Sequence, residues 1–255
     1  MGAGSTLAGK VFVDRMTVAV LAVLCLATLV RSAFGFGEAL VAVPLLALFV
    51  PVNVAAPVAA LISVTVAGVV LVQDWSHVHA RSAGRLVLST LPGIPLGLLL
   101  LTRVPEPIVK AMLGCVIIAF SGYFLSRRTG HVLTDDRLAW VAGFGAGVLG
   151  GAYGMNGPPL AIYGALRGWS PQQFRATLQG YFLPASLVVL GGYRLSGVWT
   201  PAVSHYYLVS LPAVMVAILA GRYINRGMQG PRFLRWVHAG LIATGAVLLV
   251  QALRG

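Results

Sequence analysis

The stretch Ser32-Ala-Phe-Gly-Phe-Gly-Glu-Ala-Leu-Val-Ala-Val-Pro-Leu45 places two glycines, a carboxylate and a proline inside one apolar run. In a helix interior, glycine costs about 1 kcal/mol and proline about 3 kcal/mol relative to alanine. A carboxylate surrounded by hydrocarbon is more expensive still. A chain that clusters all of these in one place has a use for the break.

The surroundings make the break a membrane feature. The 255 residues are 58% hydrophobic and 9% charged, with a mean hydropathy of +0.88, whereas soluble domains carry about a quarter charged residues. The expected class is an all-α polytopic membrane protein forming one transmembrane domain over 1–255. Apolar windows lie near 16–34, 54–73, 86–102, 107–125, 138–152, 173–193, 203–221 and 234–252. At about 20 residues per crossing they read as roughly eight full spans. Two shorter runs, 38–50 and 157–167, are broken or re-entrant helices. The run Val18–Val30 follows Lys10 and Arg15 in the manner of a signal peptide, but Arg31 and the continuing apolar sequence argue for a retained first helix.

The net charge of +12 would suggest nucleic acid in a soluble protein. Here the arginines sit in short connectors, such as Arg127 and Arg128, and set topology instead, so nucleic acid is excluded as a partner. Cys25 and Cys115 lie in apolar runs and read as small packed hydrophobes, with no disulfide framework or metal cluster. His77 and His79 read as interfacial polar residues, and His205 and His238 as structural. Trp75, Trp140, Trp169, Trp199 and Trp236 read as an interface belt.

The polar connector 126–137 divides the chain into repeats at about 15–125 and 138–253, each ordered long, short, long, long, long. The halves repeat weakly at an offset of 119 residues, so that Gly35-Phe-Gly-Glu-Ala39 lies over Gly154-Met-Asn-Gly-Pro158. Five crossing segments per half put the second half in the opposite orientation, the inverted duplication of many secondary transporters. If the short helices only re-enter, that parity changes. With ten crossings, one side collects more basic residues, including Arg81, Arg85, Arg127 and Arg128, which favours both termini outside, although Lys10 and Arg15 pull the other way.

A helix broken inside a membrane frees backbone groups that lipid cannot satisfy. Both breaks present helix N-termini, which attract anions through free N–H groups and the positive end of the dipole. Pro158 and Pro159 suit a first turn, where a missing N–H costs little. The candidate substrate site is therefore Gly35, Phe36, Gly37, Glu38 and Ala39 from one break and Gly154, Met155, Asn156, Gly157 and Pro158 from the other. Close packing of small residues is the plainer reading of the same glycines. Arg175 is a possible charged donor or an interfacial anchor, and Arg31, one turn before the first break, faces the cavity or snorkels outward. Glu38 alone among the six acids is flanked by apolar sequence on both sides. It pairs with Arg31 or Arg175, takes up a proton, or caps the short helix.

These motifs, with Phe174-Arg-Ala-Thr177 and Tyr181-Phe-Leu-Pro184, resemble the TauE/SafE family of sulfite and organosulfonate permeases over most of the chain. The resemblance implies a multi-pass protein of the bacterial inner membrane that moves sulfite, thiosulfate or an organosulfonate. Glu38 and Ala39 stand where such members carry further glycines, and Asn156 stands where glycine is common. A carboxylate beside an anion site implies proton coupling or a less anionic substrate. The candidate partners are thus a small sulfur-containing anion, lipid, protons and a second copy of the chain, with no cofactor and no metal. The rival is a permease for a cation or neutral solute that uses Glu38 and the break carbonyls as ligands. No His-Glu-x-x-His or Gly-x-Ser-x-Gly pattern points to an enzyme.

Overall fold

A computed structural model describes residues 4–34, 37–74, 80–126, 137–169, 171–228 and 231–254. Every regular element among them is helical. The first half comprises α1 (Gly4–Phe34), α2 (Glu38–Leu46), α3 (Val52–Asp74), α4 (Ala80–Thr90), α5 (Gly93–Arg103) and α6 (Glu106–Ser126). The second comprises α7 (Leu138–Tyr153), α8 (Gly157–Leu166), α9 (Pro171–Leu195), α10 (Pro201–Met228) and α11 (Pro231–Arg254).

The two short helices are 9 and 10 residues long, about 14 and 15 Å at 1.5 Å per residue. Each covers about half of a ~30 Å hydrocarbon core. α2 is apolar nearly all round, and residues 38–44 are buried, as expected of a helix surrounded by protein.

Four helices among the described residues are long and apolar enough to cross a membrane, and the bent pair α4–α5 makes a fifth. This is fewer than the eight expected; α7, for example, is apolar but only 16 residues long. The expected single span at 86–102 is corrected to two helices meeting at 44°. Pro92 lacks an N–H and its ring crowds the preceding turn, which favours a bend at this point.

The bend lays α5 along α7 at backbone contact. A Cβ on Gly97 would meet the Val148 carbonyl oxygen and lie 2.7 Å from the Ala152 nitrogen, and one on Gly151 would meet the Ile94 carbonyl oxygen. α6 and α11 approach in the same way, with a Cβ on Gly114 falling 2.8 Å from the Gly245 oxygen. Gly97→Ala is therefore expected to lower the unfolding midpoint in detergent by an overpacking cost of about 1–3 kcal/mol. Gly122→Ala, whose Cβ meets nothing within 4 Å, is expected to raise it by about 0.4–1 kcal/mol. Equal shifts in the two variants would contradict this packing.

The remaining contacts pair the elements in a regular way. α1 packs on α10, and α7 packs on α4 and α5. α3 meets α10, and α9 meets α4. α3 crosses α9, and α6 crosses α11. The breaks lie along the seam where α3 and α9 meet.

Several smaller expectations change. Cys115 is exposed on the outer face, not packed inside, while Cys25 is half-buried. Trp140 and Trp236 stand exposed as a belt would have them, but Trp199 donates to Ser204 Oγ at 2.9 Å and Trp169 sits edge-on to Tyr163. His238 is buried and stacked on Phe124 at 5.2 Å. Trp75, His77, His79, Gly35 and Phe36 lie outside the described residues.

Candidate functional site

Each break is built by a glycine in the left-handed region. Gly154 (φ 64) closes α7, with its own N–H on the Gly150 carbonyl at 2.8 Å and the Met155 N–H on the Leu149 carbonyl at 3.2 Å. A side chain at Gly154 would strike the Ala56 carbonyl oxygen at 2.7 Å, so here glycine serves both the turn and a close approach to α3. The Tyr193 hydroxyl also donates to the Gly150 carbonyl at 3.0 Å, so the end of α7 is satisfied by protein, as hydrocarbon requires.

Gly37 (φ 95) opens α2. The first ladder bond of that helix runs from the Val41 N–H to the Gly37 carbonyl at 3.1 Å, and no side chain caps it. The N–H groups of Glu38, Ala39 and Leu40 therefore belong to the unpaired first turn. α8 differs. It too lacks a side-chain cap, but Pro158 and Pro159 have no N–H to give. The first turn of α8 therefore brings the dipole and the Gly157 N–H. Beside it stands the Asn156 carboxamide, 4% exposed, whose Nδ2 has no hydrogen-bond partner of ordinary geometry.

These parts meet in one small cleft. The first half contributes Arg31, Gly37 to Leu40 and Ser63; the second contributes Gly154 to Pro158, Phe182 and Ser186. Arg31 does not snorkel. It is 3% exposed, and its Nη1 donates to Glu38 Oε2 at 3.0 Å and to Ser63 Oγ at 2.9 Å. Its guanidinium carbon lies 5.4 Å from the centre of the Phe182 ring, within cation–π range. Glu38 Oε1 faces Thr28 Oγ1 at 3.5 Å, at the limit of a hydrogen bond. Of the two arginines proposed for Glu38, the structure joins it to Arg31. Arg175 lies on α9, and its side chain falls outside the described residues.

Both oxygens of Glu38 face protein donors, so the carboxylate is not presented as a bare cation ligand. No group of three or more His, Cys, Asp or Glu residues that could hold a metal occurs among the described residues. The arrangement gathers donors in a buried place: a guanidinium, a carboxamide, serine hydroxyls and two helix N-termini. Such a set recognises the oxygens of a small anion.

Ser63, Phe182 and Ser186 were not expected. Ser63 and Phe182 are single residues in apolar spans, but they are separated by the same 119 residues as the two breaks. Carrying that offset from the breaks into α3 and α9 was the signal that could have found these two; Ser186 has none, since Ala67 stands 119 residues before it.

A family model described as "Sulfite exporter TauE/SafE" matches residues 20–249. A Cupriavidus necator protein named "Probable sulfite/organosulfonate exporter TauE" is 25% identical over 231 residues, covering 87% of this chain and 88% of its own. No solved structure matches.

Proposed function

The chain belongs to the sulfite exporter TauE/SafE family, and from that premise we propose that it is a secondary carrier, not an enzyme, for sulfite, thiosulfate or an organosulfonate. It acts in the bacterial inner membrane by alternating access, with protons coupled through Glu38. The observation that carries this reading is the convergence of both breaks and the buried Arg31–Glu38 pair on one cleft.

The duplication behind alternating access is supported by register. Phe34 and Tyr153 end α1 and α7, Glu38 and Gly157 begin α2 and α8, and Val52 and Pro171 begin α3 and α9; each pair is 119 residues apart. Packing supports it too. Exchanging the halves, with α4–α5 standing for α10, turns α1–α10 into α7–α4/α5 and α3–α10 into α9–α4, and returns α3–α9 and α6–α11 to themselves. We read this as two inverted five-segment repeats, each with one half-helix. Each half supplies one wall of the cleft, so rocking along the α3–α9 seam would open it to alternate sides.

The test is exchange of labelled sulfite across proteoliposomes containing the full chain. Saturable exchange is expected, suppressed by excess organosulfonate and untouched by potassium or calcium ions. Suppression by the cations alone would favour the rival cation permease.

A further inference from the structure

We infer that Glu38 is an internal stand-in for the substrate: it occupies Arg31 in the empty carrier and yields that place only on taking up a proton, so that one monoanion crosses with one proton and no net charge. The inference rests on the anion-carrier reading above and narrows its substrate class.

The geometry comes first. Arg31 Nη1 holds a carboxylate oxygen at 3.0 Å and a serine hydroxyl at 2.9 Å together. The carboxylate belongs to the first residue of α2, where the free N–H groups and the positive dipole end favour an anion. Glu38 thus already places an oxyanion where the donors of the first half converge. A sulfonate or bisulfite presents oxygens of the same kind, so substrate and Glu38 compete for one guanidinium.

Charge then sets the stoichiometry. The buried pair sums to zero. A monoanion arriving beside it would leave one uncompensated negative charge in the interior, at an effective cost of several kcal/mol. A proton that moves from water onto a Glu38 oxygen, forming an O–H bond as the ion pair with Arg31 is exchanged for the substrate, returns the sum to zero. A dianion would remain one charge in excess after the same exchange. The groups facing Glu38 supply no other compensation among the described residues. α1 brings Arg31 and Thr28, α3 brings Ser63, α8 is preceded by Asn156, and α9 brings Phe182 and Ser186. α6 and α11, which also contact α2, add no charged side chain to the cleft. The second half offers no duplicate pair, since 119 residues after Arg31 and Glu38 stand Gly150 and Gly157. One cation and one acid imply one anion and one proton per cycle. Organosulfonates with a single ionised group and bisulfite fit; sulfate and thiosulfate do not.

The experiment uses the full chain in proteoliposomes with labelled ethanesulfonate and the membrane potential clamped. For the native protein, a gradient of one pH unit is expected to drive about tenfold accumulation, an imposed potential is expected to change nothing, and sulfate and thiosulfate are expected to compete at least about tenfold less well than ethanesulfonate, a difference of about 1.4 kcal/mol. Glu38→Gln, which leaves the buried Arg31 charge without its partner, is expected to lose the pH response, and whatever net flux it carries is expected to follow the potential, because its empty form carries the charge of Arg31. Native flux that follows the potential, or a Glu38→Gln variant that still accumulates substrate along a pH gradient, would overturn the inference while leaving the carrier reading in place. The clamp on the native protein decides the matter even if the variant does not fold. Absence of any exchange of ethanesulfonate and of sulfite by the native protein would overturn the carrier reading, and the inference with it.

Discussion

Arg31→Gln is expected to yield little folded protein, and the double change Arg31→Gln with Glu38→Gln is expected to fold but not to transport. In the native chain the two charges are 3% and 0% exposed at their side chains and 3.0 Å apart. Removing one partner strands the other in a low-dielectric interior, which typically costs about 3–5 kcal/mol, whereas replacing both is often close to neutral. The double variant keeps two polar amides that can still reach Ser63 and Thr28, so the fold has no stranded charge to bear. Transport is another matter, because Arg31 is the one full positive charge lining the cleft among the described residues. Arg31→Lys is expected to fold yet transport poorly, since an ammonium gives a point charge without the planar fork or the face that lies over Phe182. The measurements are thermal unfolding in detergent and sulfite exchange on the same preparations. An Arg31→Gln single variant as stable as the native protein would mean that the pair does not hold the break together. A transporting double variant would mean that the helix ends and Asn156 bind the anion without a formal charge.

This coupling of stability and function at one residue was only partly legible in the sequence. The breaks could be read, because glycine and proline recurring at matched places in two halves of an apolar chain mark helix ends inside the membrane. The pairing of Glu38 could be narrowed to two arginines but not decided. Arg31 lies seven residues upstream with a break between, and the direction in which α2 leaves the break decides whether they meet. The bend between α4 and α5 was missed for a different reason: an apolar window averages over Pro92, while the backbone cannot. Conversely, Pro158 and Pro159 were in view, yet their helix was credited with donors that prolines do not have. The chemistry of that end then falls to Asn156, which the sequence marks only as a departure from glycine.

Asn156→Ala should therefore weaken transport sharply while leaving the unfolding midpoint nearly unchanged, the reverse of the Arg31→Gln result, whereas Asn156→Asp, which buries an unpaired charge, should lower both. The Asn156 Nδ2 is buried and has no hydrogen-bond partner of ordinary geometry within the protein, with only the Tyr181 hydroxyl facing the carboxamide, so the fold gains little from it; a buried donor without a full partner is, if anything, a cost. Asn156→Ala, which removes that donor, should be as stable as the native chain or slightly more so. The substrate has much to gain from it. A hydrogen bond to a charged group contributes about 1.5–3 kcal/mol, and each 1.4 kcal/mol is about tenfold in affinity. Asn156→Ala should thus weaken ethanesulfonate binding by roughly ten- to a hundredfold. Asn156→Asp should weaken it further, because an acceptor and a negative charge replace the donor in the same volume. Binding and unfolding measured side by side on the two variants test this. If Asn156→Asp binds ethanesulfonate as the native protein does, the second break contributes packing and a turn but no donor, and the anion belongs to the first half alone.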